Sequence, residues 1–152
     1  MAHMHYKGTG KVHSFRGLLP DGEQQKIRIE GSVGAIAWRI TKFEVMTETP
    51  LTTSGEAMIK IYREKQDSLT NTVSFVDDEL LGVALYIQND NYQNTQTNVI
   101  FDNALFVRNI YVYNVSDAGS ASCNYYIELE EVKVGKAGMA QLAVAAARRM
   151  ID

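Results

Sequence analysis

The architecture of the chain is first recognisable in residues 16–31, which read RGLLPDGEQQKIRIEG. Pro20 presets the backbone for the second position of a turn, and the Asp-Gly pair after it suits the remaining positions. Beyond the turn, Ile27 and Ile29 alternate with charged side chains, which is the period-two pattern of a half-buried antiparallel strand. The stretch therefore predicts a β-hairpin, in which a PDG turn joins two neighbouring strands.

The same alternation recurs along most of the chain. Within residues 36–47 the apolar face shifts by one residue between Ile40 and Phe43, which predicts a β-bulge. About eight strands, with no helical stretch between them, predict an all-β fold: an antiparallel β-sandwich, jelly-roll-like, since a parallel sheet would need crossover helices. The alternating apolar faces of later strands are predicted to carry Ile59 and Ile61, then Val83, Leu85 and Ile87, then Ile110 and Val112.

Residues 135–152, GKAGMAQLAVAAARRMID, break this pattern. Their larger apolar side chains recur at helical spacing in an Ala-rich background, which predicts an amphipathic C-terminal α-helix after a flexible glycine link. The chain is thus divided into an N-terminal arm (1–11), a β-sandwich domain (12–134) and the link with its helix (135–152). A helix of this length is marginal alone in water and needs a surface to dock on. The residues predicted to bind a partner are Met139, Leu142, Ala143, Ala146, Arg148, Arg149 and Met150.

Composition excludes several classes of partner. The 152 residues carry a formal net charge of −3 and no long basic run, so nucleic acid is not an expected partner. No stretch approaches the roughly 18 to 20 apolar residues of a membrane span, and the first residues do not resemble a secretory signal. We therefore expect a single soluble domain that does not bind a membrane.

Residues with the chemistry for catalysis are sparse. His3, His5 and His13 all lie near the N-terminus, whereas a zinc site recruits three or four ligands from ordered elements. Cys123, the single cysteine, is interpreted as a small buried thiol, and no nucleophile motif surrounds it. The acidic run at 77–79 lacks the liganding loop of a calcium site. We therefore expect no enzyme activity, no metal and no cofactor.

Eight tyrosines are the remaining candidates for ligand binding. Rings that face outward can stack on sugars, although cross-strand packing is the more common arrangement of tyrosines in sheets. If the rings face outward, Tyr92, Tyr111 and Tyr113, together with the polar loop at 89–98, form a possible carbohydrate-binding surface.

Three segments resemble parts of small structural proteins encoded in the virion modules of marine tailed bacteriophages: GLLPDGEQQKIRIEG (17–31), VIFDNALF (99–106) and CNYYIELEEV (123–132). This resemblance implies a non-enzymatic virion structural protein, made in the host cytoplasm and present in many copies on the particle. It further implies a capsid decoration (cement) protein that binds the assembled shell through its N-terminal arm or C-terminal helix.

The expected partners are the major capsid protein or tail proteins. A homo-oligomer is also expected, a trimer by analogy with decoration proteins at threefold positions. The alternative is a tail accessory or receptor-binding module that binds carbohydrate.

Overall fold

A computed structural model describes residues 8–29, 36–50, 55–88, 95–117, 122–135 and 138. Within these residues the chain forms eight strands in two antiparallel sheets, so the predicted all-β sandwich-like fold is confirmed. The predicted C-terminal α-helix and its partner-binding residues lie outside the described residues. In chain order the strands are β1 (Gly8–Leu19), β2 (Gln24–Ile27), β3 (Ile36–Thr47), β4 (Gly55–Tyr62), β5 (Leu80–Gln88), β6 (Thr95–Ile100), β7 (Ile110–Ser116) and β8 (Cys123–Lys133).

The two sheets enclose a common apolar core. Sheet A has three strands in the order β1-β8-β3, and sheet B has five in the order β2-β7-β4-β5-β6. β8 is the central strand of sheet A and pairs with β1 on one side and β3 on the other. Fully buried side chains from both sheets meet in this core, among them Ile40, Phe43, Ile59, Ile61, Leu81, Ile110, Val112, Ile127 and Leu129.

The PDG stretch forms a tight turn, but the predicted hairpin is wrong. β1 pairs with β8 in sheet A whereas β2 pairs with β7 in sheet B, so the turn carries the chain from one layer to the other. Gly22 has a φ of 78°, a left-handed conformation that favours glycine. Its N–H donates to the Asn114 carbonyl at 2.9 Å, and the Asn114 side-chain amide donates to the Leu19 carbonyl, also at 2.9 Å. The turn motif fixes the local backbone, but the strand partners lie far away along the chain.

The predicted β-bulge in β3 is confirmed. The register of β3 against β8 shifts between Ile40 and Lys42, and Phe43 and Val45 then continue the buried face. The inner faces predicted for three other strands are also confirmed by the burial of Ile27, Ile59, Ile61, Ile110 and Val112.

The inner face predicted for β5 is wrong. Ala84 and Tyr86 belong to the core between the sheets. Because side chains alternate along a strand, Val83, Leu85 and Ile87 therefore face outward. Both faces of β5 are apolar, so alternation alone could not tell the inner face from the outer one.

The margins of the sandwich also differ from expectation. Residues 8–11, which the sequence assigned to an N-terminal arm, form the beginning of β1, and residues 1–7 lie outside the described residues. A bulge interrupts the pairing between Gly8 and Val12. At the far side of sheet A, the Asn98 side-chain amide on β6 donates to the Phe43 carbonyl on β3, which links the two sheets.

Candidate functional site

A groove lies along sheet A, where three strands place polar side chains in register. Tyr126 on β8 stands between Arg16 on β1 and Glu44 on β3, and the next row holds Leu18, Asn124 and Met46 in the same order. These rows border an open cavity of about 620 Å³, here called the groove. The groove is lined by the side chains of Arg16, Glu44, Met46, Gln96, Asn124 and Tyr126, and by Gly17, Val45 and Tyr125 of the row between them.

The Tyr126 ring is oriented by its neighbours. Its hydroxyl donates to Glu128 Oε1 at 2.8 Å, and the Lys42 ammonium lies 5.9 Å from the ring centroid. The hydrogen bond to Glu128 is the main cause of a raised Tyr126 pKa, because the acidic partner disfavours loss of the phenolic proton. Tyr126 therefore remains a neutral aromatic group.

Several polar side chains of the groove have no internal partner. Within the described part of the chain, the Arg16 guanidinium and the side-chain amides of Gln96 and Asn124 make no hydrogen bond or ion pair. Glu44 has only a distant ion pair with Lys42, at 3.9 Å. These donors and acceptors are free to bind a ligand or water.

The tyrosines that the sequence singled out lie mainly elsewhere. Tyr113 is 1% exposed and stacks on Tyr62, with the ring centroids 5.5 Å apart, so it cannot contribute to a carbohydrate-binding surface. Tyr111 is half-buried beside Tyr62 on the same outer face of sheet B. Tyr92 lies outside the described residues. Among the described residues, Tyr113 is therefore unavailable to such a surface.

The loop between β4 and β5 covers this outer face of sheet B, and a buried lysine holds the loop in place. Lys60 is completely buried, and its ammonium lies 5.8 Å and 5.5 Å from the ring centroids of Tyr62 and Tyr113. The ammonium donates to the Thr72 carbonyl, and the Tyr113 hydroxyl donates to the Thr70 carbonyl at 3.3 Å. The loop between β4 and β5 is thus anchored over the outer face of sheet B.

The same loop presents three exposed apolar side chains. Phe75 and Val76 are 58% and 93% exposed, and Val73 beside them is 40% exposed. We call these three residues the apolar tip. The base of the loop is fixed by Arg63, whose backbone N–H donates to the Glu79 carbonyl at 2.9 Å. The tip is therefore an exposed apolar group on an anchored support, a feature typical of a protein contact.

The acidic run after the tip has a structural role. Asp77 Oδ1 accepts the Glu79 N–H at 3.0 Å, the Asp78 carbonyl accepts Arg63 Nε at 2.9 Å, and Glu79 Oε2 accepts from Gln66 at 3.2 Å. Among the described residues, no three His, Cys, Asp or Glu side chains are grouped closely enough to hold a metal ion.

Cys123 and His13 lie far apart. Cys123 pairs with Leu19 and His13 with Leu129, six residues further along the same ladder, a separation of about 20 Å. Burial raises the pKa of the Cys123 thiol to about 12, so the thiol stays protonated. His13 instead packs edge-on against Trp38 and lies 3.2 Å from Glu131 Oε1. A Cys–His catalytic pair is not formed.

The fold and these surfaces define a class of protein: an antiparallel two-sheet sandwich with an open groove on one sheet and an apolar tip above the other. No protein-family model, no curated protein and no solved structure matches the chain. In the described ranges, no helix is long and apolar enough to cross a membrane.

Sequence reasoning missed the groove and the apolar tip for different reasons. Arg16, Glu44 and Tyr126 are distant in sequence and meet only through the pairing of β8 with both of its neighbours. Nothing in the sequence around Val73, Phe75 and Val76 indicates that these apolar side chains are exposed rather than buried.

Proposed function

We propose that this chain is a non-enzymatic virion structural protein, a capsid decoration protein that binds the assembled shell. Its partner is the major capsid protein, and it acts in many copies, as a homo-oligomer for which a trimer is the expected form. It is made in the host cytoplasm and functions on the virion.

The order of the strands is the observation that carries this proposal. When an antiparallel ribbon of eight strands rolls up, the first strand pairs with the eighth, the second with the seventh, the third with the sixth and the fourth with the fifth. Three of these pairs occur as ladders, β1 with β8, β2 with β7 and β4 with β5. The remaining pair, β3 with β6, forms no ladder among the described residues. These two strands are linked instead by the hydrogen bond that the Asn98 amide of β6 donates to the Phe43 carbonyl of β3. This order favours a jelly roll, an architecture of viral capsid and lectin domains.

Because a fold does not by itself determine function, the surfaces must supply the adhesive element. The apolar tip supports the proposal, since Phe75 and Val76 gain about 25 cal/mol for each Å² of apolar surface that a partner covers. A single small contact of this kind is weak. Repetition over many symmetric copies makes weak contacts sufficient for stable attachment.

The direct test locates the chain in purified particles of the virus that encodes it, by imaging or cross-linking. Added full-length protein should bind assembled shells but not isolated capsid subunits. Replacing Phe75 and Val76 by serine should abolish binding. Val12→Ser, which changes an apolar side chain of similar exposure on β1, should not affect it. Absence of the chain from the particle would refute the proposal.

A truncated chain tests which element makes the contact. Removing residues 135–152 deletes the predicted helix and should weaken shell binding if that helix contributes. Undiminished binding would leave the apolar tip as the contact and exclude the helix.

The second candidate is a tail accessory or receptor-binding module that binds carbohydrate. The observation that favours it is the groove, with an aromatic ring between polar side chains on an exposed sheet. Lectins share the jelly-roll architecture, so the strand order is compatible with both candidates.

A further inference from the structure

We infer that the groove of sheet A is a binding site for an oligosaccharide, centred on Tyr126 and Arg16. The sequence predicted a sugar-binding surface from Tyr92, Tyr111 and Tyr113, of which Tyr113 is buried and Tyr92 lies outside the described residues. The inference deepens the second candidate function and does not depend on binding to a shell.

The chemistry of the groove matches that of a sugar. A saccharide offers hydroxyl groups that both donate and accept hydrogen bonds, together with C–H faces that pack on aromatic rings. The groove supplies donors from Arg16, an acceptor from Glu44, and amides that do both from Gln96 and Asn124. Tyr126 supplies the ring.

The register of sheet A sets the width of the site. β1 and β3 flank β8, so the backbones that carry Arg16 and Glu44 are about 10 Å apart, with Tyr126 between them. The volume of about 620 Å³ is within the range of roughly 300 to 1,000 Å³ that is typical of small-ligand sites. The groove is open to solvent, so an oligosaccharide can extend beyond it.

Other occupants fit less well. The one positive and one negative side chain of the lining, Arg16 and Glu44, balance each other, so a polyanion such as nucleic acid gains little. The lining combines apolar surface, from Val45, Met46 and the tyrosine rings, with polar groups, so a purely apolar partner would leave Arg16 and Glu44 without hydrogen bonds. A neutral ligand rich in hydroxyl groups is therefore favoured.

The experiment begins with labelled full-length protein on an array of defined neutral and acidic oligosaccharides. The strongest hit is then titrated by calorimetry against wild-type protein and against Arg16→Ala and Tyr126→Ala. Each substitution should weaken binding about tenfold or more, because each removes a hydrogen bond to a charged group or a stacking surface.

Two control variants lie outside the groove, one directly after strand β2 and one on strand β7 of sheet B. Arg28→Ala removes an exposed arginine outside the groove, and Tyr111→Ala removes a half-buried tyrosine from the other outer face. Both should leave the affinity unchanged within about twofold. Arg16 is exposed on an edge strand, so Arg16→Ala should fold even if Tyr126→Ala does not.

Three results would overturn the inference. The first is the absence of binding to every oligosaccharide on the array. The second is binding that Arg16→Ala and Tyr126→Ala leave intact, which would place the sugar elsewhere. The third is a concentration-dependent dimer that Tyr126→Ala dissociates, which would show that a second copy covers the groove. Loss of shell binding in the apolar-tip variant would not bear on these results, because the tip lies above sheet B.

Discussion

Gly17 lies in β1 directly opposite Tyr125 of β8, and the substitution Gly17→Ala tests how tightly that pair is packed. A Cβ atom added at Gly17 would lie 2.7 Å from the Tyr125 hydroxyl oxygen, 2.8 Å from Cζ and 2.9 Å from Cε1. These contacts are too short to persist, so the ring must move. Tyr125 is 4% exposed and its hydroxyl donates to Gln25 on β2 at 2.7 Å, so the ring cannot move without cost.

The expected loss of stability follows from three terms. Overpacking of a buried site costs roughly 1 to 3 kcal/mol. Breaking the hydrogen bond from Tyr125 to Gln25 costs about 1 kcal/mol more. Replacing glycine by alanine restricts the unfolded chain and returns about 0.4 to 1 kcal/mol. Gly17→Ala should therefore lower the free energy of unfolding by about 2 kcal/mol.

Urea unfolding followed by the fluorescence of the buried Trp38, the single tryptophan, measures this change. In a Tyr125→Val background the ring is absent, so Gly17→Ala should be neutral or slightly stabilising. Gly135→Ala is the control, because an added Cβ there meets no atom within 4 Å. An equal cost of Gly17→Ala in both backgrounds would refute the reasoning.

Three further predictions concern the buried thiol, the turn between the sheets and the anchored loop. Because the pKa of Cys123 is raised to about 12, the folded thiol should resist thiol reagents at pH 8. Between about pH 9 and 12 only the unfolded thiol is ionised, so ionisation of this group should lower the free energy of unfolding by about 1.4 kcal/mol per pH unit. In urea titrations over this pH range, the free energy of unfolding of Cys123→Ala should therefore fall less steeply than that of the wild type. Asn114→Ala should cost about 2 to 3 kcal/mol in urea unfolding, since it leaves the Leu19 carbonyl without its buried donor; a cost below 0.5 kcal/mol would contradict this. Lys60→Met removes the donor to the Thr72 carbonyl and should speed chymotrypsin cleavage after Phe75, whereas an unchanged rate would show that other contacts hold the loop.

The parts of the fold that depend on local alternation were predictable. The bulge between Ile40 and Phe43 and the inner face of β4 follow from which side chains are apolar within one strand. The pairing of strands was not predictable in this way. The turn at Pro20 has the composition of a hairpin turn, but contacts with Asn114 on β7 determine that it joins two layers.

The candidate site was less predictable than the strands. Tyr126 is one of the eight tyrosines of the sequence, but its neighbours Arg16 and Glu44 come from two other strands. An exposed Tyr113 was considered only for the carbohydrate-binding alternative, and this ring is buried because the loop carrying Thr70 and Thr72 closes over it. Long loops that fold back onto a sheet leave no periodic signal in a sequence.

The central position of β8 has a consequence for the synthesis of the chain. Of the described strands β1 is made first, yet both β1 and β3 pair with β8, the last of them to be made. At roughly 5 to 20 residues per second, the segment between β3 and β8 takes several seconds to translate. During that interval the apolar face of sheet A lacks its middle strand. Nascent chains are therefore most prone to aggregate just before translation of β8 is complete, and a ribosome stalled near residue 120 would release a product unable to fold.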